Sequence, residues 1–333
     1  MKPLRIAIAG ARHAHIIELH RRIASHPSLE LVAVCEEQPE ASLLAAQGVP
    51  VTHQNFQSML RAVECDVVVL CDCFGKRGAQ AVAALRAGKH VLADKPLCTR
   101  LDELEEIATL AEKNGLSVGM MLETRDAGNF LALREVLRSG RIGEVQTISV
   151  SCQHPLLWGK RPAWYFEPEM HGGTFNDIAI HIVDILPWLT GLEIDGFDFA
   201  RAWNAKAVEA AHFADCGQFA FRLSNGAGVL GDVSYLAPDG CGYTIPHYWR
   251  ILIHGTSGLA ETSHATSGVT VITDADAVPA HVPPAAPRPG GFLEDFLAEI
   301  GGDKPPGGLD TPAVLRSTRR ALELQAFADA HTS

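Results

Sequence analysis

The sequence predicts an α/β protein of two domains. A doubly wound parallel sheet comes first, and an α+β domain with a large mixed or antiparallel open sheet follows. Three observations carry this expectation. Strand and helix patterns alternate through the first 121 residues. Near residue 122 the texture changes to long runs in which apolar and polar residues alternate. The 333 residues suffice for two cores of ordinary size, so the boundaries are set at 1–122 and 123–333.

The first half is read element by element. Strands are expected at Arg5–Ala9, Leu29–Cys35, Asp66–Cys71, His90–Ala93 and Ser117–Met121. Their apolar residues run on successive positions, the pattern of strands covered on both faces. Helices fall between them at 14–25, 55–63, 77–87 and 100–114, with Gly88 and Gly115 placed as stops. Such alternation with short connections gives parallel strands and right-handed crossovers. In the second half a helix at 127–139 ends at Gly140, and Phe175–Leu189 forms another, closed by Gly191. Strands are expected at Glu144–Gln153, Phe213–Leu223, Gly228–Tyr235, Trp249–His254 and Val269–Ile272, with one face wet or used as an interface. Five prolines between 279 and 289 mark an extended surface connector, and helices Phe292–Ile300 and Thr311–Ala330 finish the chain.

Bulk properties narrow the function. A net charge of −11 argues against a nucleic-acid partner, which needs a basic face. No apolar run approaches the ~18 residues of a membrane span, and no secretory pattern precedes the first strand. Eight cysteines without staple-like spacing read as reduced thiols in a cytoplasmic protein. Cys71-Asp72-Cys73 is too short for a CxxC redox pair and reads as strand-end packing, the H-x-H pair His13 and His15 does not by itself argue for a metal site, and no metal is expected.

The first strand leads into Gly10-Ala11-Arg12-His13-Ala14-His15 and then a helix, the order of a dinucleotide-binding Rossmann fingerprint. Gly10 fills the first glycine position. Arg12 and His15 stand where the second and third glycines belong. The second strand ends at Glu36, whose carboxylate can accept both ribose hydroxyls and would repel a 2′-phosphate. Gly10, Arg12, His13 and Glu36 are therefore cofactor candidates, with NAD preferred. Arg12 leaves NADP open, because a guanidinium pairs with phosphate. The alternative is a Rossmann-shaped domain that binds no nucleotide and whose Arg12, His13 and His15 are solvated loop residues.

Two later segments extend the reading. Ala84-Leu85-Arg86-Ala87-Gly88-Lys89-His90-Val91-Leu92-Ala93-Asp94-Lys95-Pro96 resembles the conserved EKP segment of the Gfo/Idh/MocA oxidoreductases. Trp164-Tyr165-Phe166, then Gly172-Gly173-Thr174-Phe175-Asn176-Asp177 with His181 and Asp184, resembles that family's second motif. The likeness extends to Val118-Gly119, Arg125 and the last helix. It implies Lys95, Asp177 and His181 as catalytic residues, and Asp72, Phe74, Asp94 and Lys95 beside the cofactor. Arg125, Trp164 and Asn176 are implied at the substrate. The chain departs from the family at Asp72-Cys73-Phe74, at Arg77 where a histidine is usual, and at Asp94, where glutamate is usual.

The residues also make chemical sense by themselves. Asp177, His181 and Asp184 are spaced i, i+4 and i+7, one face of a helix. Lys95 follows a buried strand, at the carboxyl edge where ligands of parallel sheets bind. Capping and core lining remain the alternative for Asp177 and His181, and a solvated strand end for Lys95. The expected activity is NAD(P)-dependent oxidation or reduction of a secondary alcohol in a sugar, cyclitol or related polyol. His181 would act as base and Lys95 would stabilise the reacting oxygen, with the division between them open. Two other readings stand: a redox-neutral glycosidase or epimerase-like enzyme that keeps its NAD, and a non-catalytic sugar or nucleotide sensor. The resemblance implies a homodimer or homotetramer.

Overall fold

A computed structural model describes residues 2–331. These fall into two compact units. The first holds residues up to Met121 together with Pro162–Gly172 and Phe292–Arg319. The second holds Leu122–Arg161, Gly173–Gly291 and the residues from Arg320 on.

In the first unit the strands are β1 (Leu4–Ala9), β2 (Leu29–Cys35), β3 (Val67–Leu70), β4 (His90–Ala93) and β5 (Val118–Met120). All pair in parallel, in the order β2-β1-β3-β4-β5. Val67 to Leu70 and Val91 to Ala93 are buried throughout, because crossover helices cover both faces of a parallel sheet. Those helices are α1 (His15–Ser25), α2 (Phe56–Ala62), α3 (Phe74–Arg86) and α4 (Leu101–Asn114). Strand order reverses between β1 and β3, the switch point at which such sheets bind ligands beyond their carboxyl ends. Gly10 follows β1, Asp72 follows β3 and Lys95 follows β4, so all three lie along that edge.

Helix α3 starts at Phe74, three residues before the expected start at Arg77. Glycines 75 and 78 hide the beginning because they are poor helix formers. Gly75 is required there by close approach: a Cβ on it would lie 2.2 Å from the Glu169 carbonyl oxygen.

The second unit carries α5 (Gly128–Arg138), after the 3-10 turn Glu123–Asp126, and is built on an eight-stranded sheet. Its strands are β6 (Val145–Pro155), β7 (Ile194–Trp203), β8 (Cys216–Leu223), β9 (Gly228–Ala237), β10 (Arg250–Gly255), β11 (Gly258–Thr262), β12 (Val269–Thr273) and β13 (Ala280–Val282). Their order is β13-β12-β11-β10-β6-β9-β8-β7. Only β6 and β9 pair in parallel, so the sheet is mixed. Between β6 and β7, residues Phe175–Ala179 form a π-turn that runs into α6 (Ile180–Thr190). Helix α7 (Gly291–Ile300) and α8 (Thr311–Ala330) complete the chain.

The differences from expectation have local causes. Strand β7 escapes the alternation test because register shifts at 194/196 and 197/199 break its period of two. The strand expected from Phe213 begins only at Cys216. The Asp215 carboxylate instead accepts the backbone N–H groups of Ala205, Lys206 and Ala207 at 2.8, 2.7 and 2.6 Å, which fixes residues 213–215 as a turn. Trp249 has φ of 53°, outside strand geometry, so β10 starts one residue late. The proline-rich connector carries the short strand β13. Among the described residues no helix is long and apolar enough to cross a membrane.

Candidate functional site

The loop after β1 is set by Gly10. Its φ is +79°, and a Cβ there would lie 2.4 Å from the Asp72 backbone N and Cα. Only glycine permits both the turn and that approach. The backbone N–H groups of Arg12, His13, Ala14 and His15 then donate to no other group among the described residues. They open the eleven-residue helix α1, so dipole and free donors coincide, the arrangement that binds phosphate.

Arg12 turns away from this cradle. Its guanidinium lies 3.1 Å from Glu36 Oε1, 2.7 Å from Asp72 Oδ1 and 3.3 Å from Gln38 Oε1. Glu36 is 1% exposed and also accepts the Ala11 and Gln38 backbone N–H groups at 2.8 and 3.0 Å. The carboxylate expected to hold ribose hydroxyls is thus engaged by its own loop. Asp72 also accepts from the Cys73 N–H at 2.7 Å and from Gln80 Nε2 at 2.9 Å. Beside Arg12 lies a cavity of about 290 Å³, lined also by Gln38, Leu43, Trp164 and Glu167. The Trp164 indole N–H is buried without a hydrogen-bond partner among the described residues, a donor left for a ligand.

Asp94 forms a second focus in the same unit. It is fully buried, with His13 Nδ1 at 2.5 Å, His15 Nδ1 at 2.8 Å and Arg77 Nη2 at 3.0 Å. Its burial opposes ionisation, but His13, His15 and Arg77 outweigh that and hold it well below the usual carboxylate range. His13 is pushed down to about 4 by burial, against the pull of Asp94. Its Nε2 meets the Tyr165 hydroxyl at 2.8 Å. Arg77 is fully buried and donates to the carbonyls of Asp72, Asp94, Lys95 and Pro96, which ties the ends of β3 and β4 together. Phe74 is fully buried, edge-on to Trp164 and Tyr165 at 4.9 and 5.5 Å. Lys95 is 3% exposed, and its Nζ lies 5.9 Å from the Phe74 ring centre.

The second unit holds the other expected residues. The π-turn changes the spacing: Asp177 sits within it, whereas His181 stands in the first turn of α6. The simple i, i+4 stack expected of one uniform α-helix is therefore not what is built. The Asp177 carboxylate, 1% exposed, accepts the Tyr235 hydroxyl. His181 Nδ1 lies 3.3 Å from Thr124 Oγ1, and its ring meets Trp249 edge-on at 4.8 Å. Trp249, like Leu157 and Glu169, has a positive φ, and such strain concentrates at functional sites. Asn176 is fully buried. Arg125 is buried too, and its guanidinium forks onto Asp184 at 2.8 and 2.6 Å. His154 lies among Tyr235, Tyr243, Tyr248 and Trp249, with centroid distances of 5.3 to 6.0 Å.

Sequence reasoning named Asp94, His13 and Phe74 but not their convergence with His15, Arg77 and Tyr165. It also missed Tyr235, Tyr248, Trp249 and Thr124. Lone aromatic residues at strand ends carry no periodic signal. The one available clue was the aromatic run Trp164-Tyr165-Phe166 beside a charged loop.

Comparison with known proteins adds the following. The family description "Oxidoreductase family, NAD-binding Rossmann fold" matches residues 4–121, and "GFO/IDH/MocA C-terminal domain" matches 130–261. D-glucoside 3-dehydrogenase of Escherichia coli (strain K12) is 30% identical over 65% of this chain and 61% of its own length. The match thus spans about three fifths of that relative. Rhizopine catabolism protein MocA of Rhizobium meliloti is 27% identical over 97% of this chain and 96% of its own. An inositol dehydrogenase homologue from Azotobacter vinelandii, solved with NAD+, superposes with a TM-score of 0.81 at 19% identity. It covers 100% of this chain and 97% of its own, and at that identity the likeness speaks for the fold.

Proposed function

Because the chain belongs to the Gfo/Idh/MocA family of NAD-binding oxidoreductases, we propose that it is an NAD-dependent dehydrogenase acting on a secondary alcohol of a sugar, cyclitol or related polyol. The observation that carries this reading is the cradle of four unpaired backbone N–H groups at the start of α1, directly after the Gly10 turn. It fits a pyrophosphate. The cavity beside Arg12, Gln38 and Trp164 fits the adenosine end. Arg12 also leaves NADP open, since a modest swing would present its guanidinium to a phosphate. When bound, the nicotinamide supplies the hydride acceptor or donor.

The chain's own residues supply the rest. In this proposal the Lys95 ammonium hydrogen-bonds the reacting oxygen and stabilises negative charge as it develops. His181, whose Nδ1 faces Thr124, takes the hydroxyl proton. Asp177, fixed by Tyr235, orients substrate hydroxyls. Names of relatives support the substrate class: D-glucoside 3-dehydrogenase, and myo-inositol dehydrogenase of Streptomyces leeuwenhoekii. The protein works in the cytoplasm in this reading, a compartment in which its eight free cysteines, seven of them buried, stay reduced. It also assembles as a homo-oligomer through the open face of its large sheet.

The test is a thermal-shift titration with NAD(H) and NADP(H), followed by a polyol panel read at the absorbance of the reduced nicotinamide. A ligand at 100 times its Kd adds about 2.7 kcal/mol to a fold that alone binds it. NAD(H) is expected to raise the melting temperature. No shift with either nucleotide would sink the dehydrogenase reading. It would favour a sensor without nucleotide, to which the closed Arg12–Glu36–Asp72 cluster points.

A further inference from the structure

Two imidazoles converging on one buried carboxylate is an arrangement that the hydride chemistry does not use. His13 and His15 leave the same loop two residues apart, and Asp94 comes from the end of β4. One ligand atom from each of the three lies within 4.8 Å of the others. The rings meet edge-on with centroids 4.4 Å apart, so both present nitrogen to the same carboxylate from different directions.

We propose that His13, His15 and Asp94 form a binding site for a divalent first-row transition metal, Zn2+ being the probe of choice. His13 Nδ1 lies 2.5 Å from Asp94 Oδ2, and His15 Nδ1 lies 2.8 Å from Asp94 Oδ1. Ligands about 2.0–2.1 Å from a tetrahedral metal stand roughly 3.3 Å apart, and the three ligand atoms, all within 4.8 Å of one another, need shifts of about an ångström to close on one ion. Two nitrogens and one carboxylate oxygen suit Zn2+ or its neighbours, and not Mg2+ or Ca2+, which demand oxygen shells. Three protein ligands leave at least one position open, the pattern of sites that bind a further ligand.

The surroundings match those of a metal site. An imidazole that binds through Nδ1 carries its proton on Nε2 and needs an acceptor there. His13 has one in the Tyr165 hydroxyl at 2.8 Å. His15, with its side chain 41% exposed, can use solvent. The Asp94 carboxylate is oriented by Arg77 at 3.0 Å, so one oxygen can turn to the metal while the other keeps its guanidinium. The unpaired N–H groups of residues 12–15 adjoin the same histidines. The metal's open position therefore suits an anionic oxygen ligand such as a phosphate.

The experiment measures Zn2+ on chelator-stripped protein without nucleotide, by competition with a chromogenic chelator and by elemental analysis. Co2+ loading with visible absorption reports the geometry. The wild type should bind one Zn2+ per chain in the micromolar range or tighter, and the Co2+ adduct should show a tetrahedral or five-coordinate spectrum. Tyr165→Phe should weaken binding about 10–100-fold, the usual cost of losing an outer hydrogen bond to a ligand. His15→Ala, at a side chain 41% exposed, should weaken it further and abolish the Co2+ spectrum. Cys241→Ala, at an exposed thiol, should change nothing. Failure to bind one equivalent overturns the proposal and leaves the trio as a hydrogen-bond hub around Asp94. Binding unaltered by His15→Ala overturns it equally. Neither result bears on the NAD(H) titration, which uses no metal.

Discussion

Arg125 shows how a residue can be legible by type and opaque by role. The family resemblance places it with the substrate, yet its guanidinium is buried and spends both arms of its fork on Asp184. The pair links the 3-10 turn Glu123–Asp126 to α6 and so fixes the segment that carries Thr124, the partner of His181. Removing one member of a buried ion pair strands the other charge, which costs about 3–5 kcal/mol. Arg125→Ala should therefore lower the unfolding free energy measured by urea denaturation by that amount. Arg125→Lys should recover little, since an ammonium cannot make the two-armed contact. A substitution that left stability intact but raised KM for a polyol would mean that the substrate role is the true one. Glu36 teaches the same lesson. The motif sets it directly after β2, where it stands, but nothing in spacing tells that Arg12, two residues past the glycine, will fold back onto it. Side-chain partners across loops depend on tertiary placement, and periodicity does not encode that.

At the scale of elements the parallel strands were the most readable part, because a strand buried on both faces must be apolar at every position. Strands β1 to β5 fall where those runs lie, within a residue or two. Elements with interrupted periods were not readable: β7 with its register shifts, and the π-turn ahead of α6. Gly119 on β5 illustrates a signal that is visible but not interpretable from sequence. A Cβ there would stand 2.7 Å from the Phe296 ring and 2.9 Å from Leu92 Cδ1. The glycine leaves room for Phe296 of α7, 1% exposed, against the sheet edge. Gly119→Ala should overpack this contact and cost about 1–3 kcal/mol. Adding Phe296→Leu should restore part of the loss, since contacting residues couple. Additive losses in the double variant, measured by chemical denaturation, would show that α7 does not press on that strand.

The eight-stranded sheet sets the behaviour of the whole molecule. A row of paired residues runs across its open face: Phe199, Ala220, Leu230, Ser149 and Leu252 stand opposite one another on neighbouring strands. Phe199 is 48% exposed and Leu230 is 64% exposed, an apolar band on a face otherwise carrying Gln218, Arg222 and Asp232. Exposed apolar bands rimmed by polar residues mark association sites. The alternation in sequence foretold a face left open, though not which residues cross it, because register sets the row and the bulges of β7 set the register. In the proposed homo-oligomer this band is the contact. Each chain carries a charge of −11, so two copies repel at low ionic strength. An apolar contact between like-charged chains should tighten as salt screens the repulsion. Sedimentation equilibrium at micromolar protein should therefore give a multiple of 35.8 kDa, with association stronger at 0.5 M than at 0.02 M salt. Leu230→Lys places a cation in the middle of the band and should yield monomers with an unchanged circular-dichroism spectrum. A wild-type chain that sediments as a monomer at both ionic strengths would leave the open face without this role.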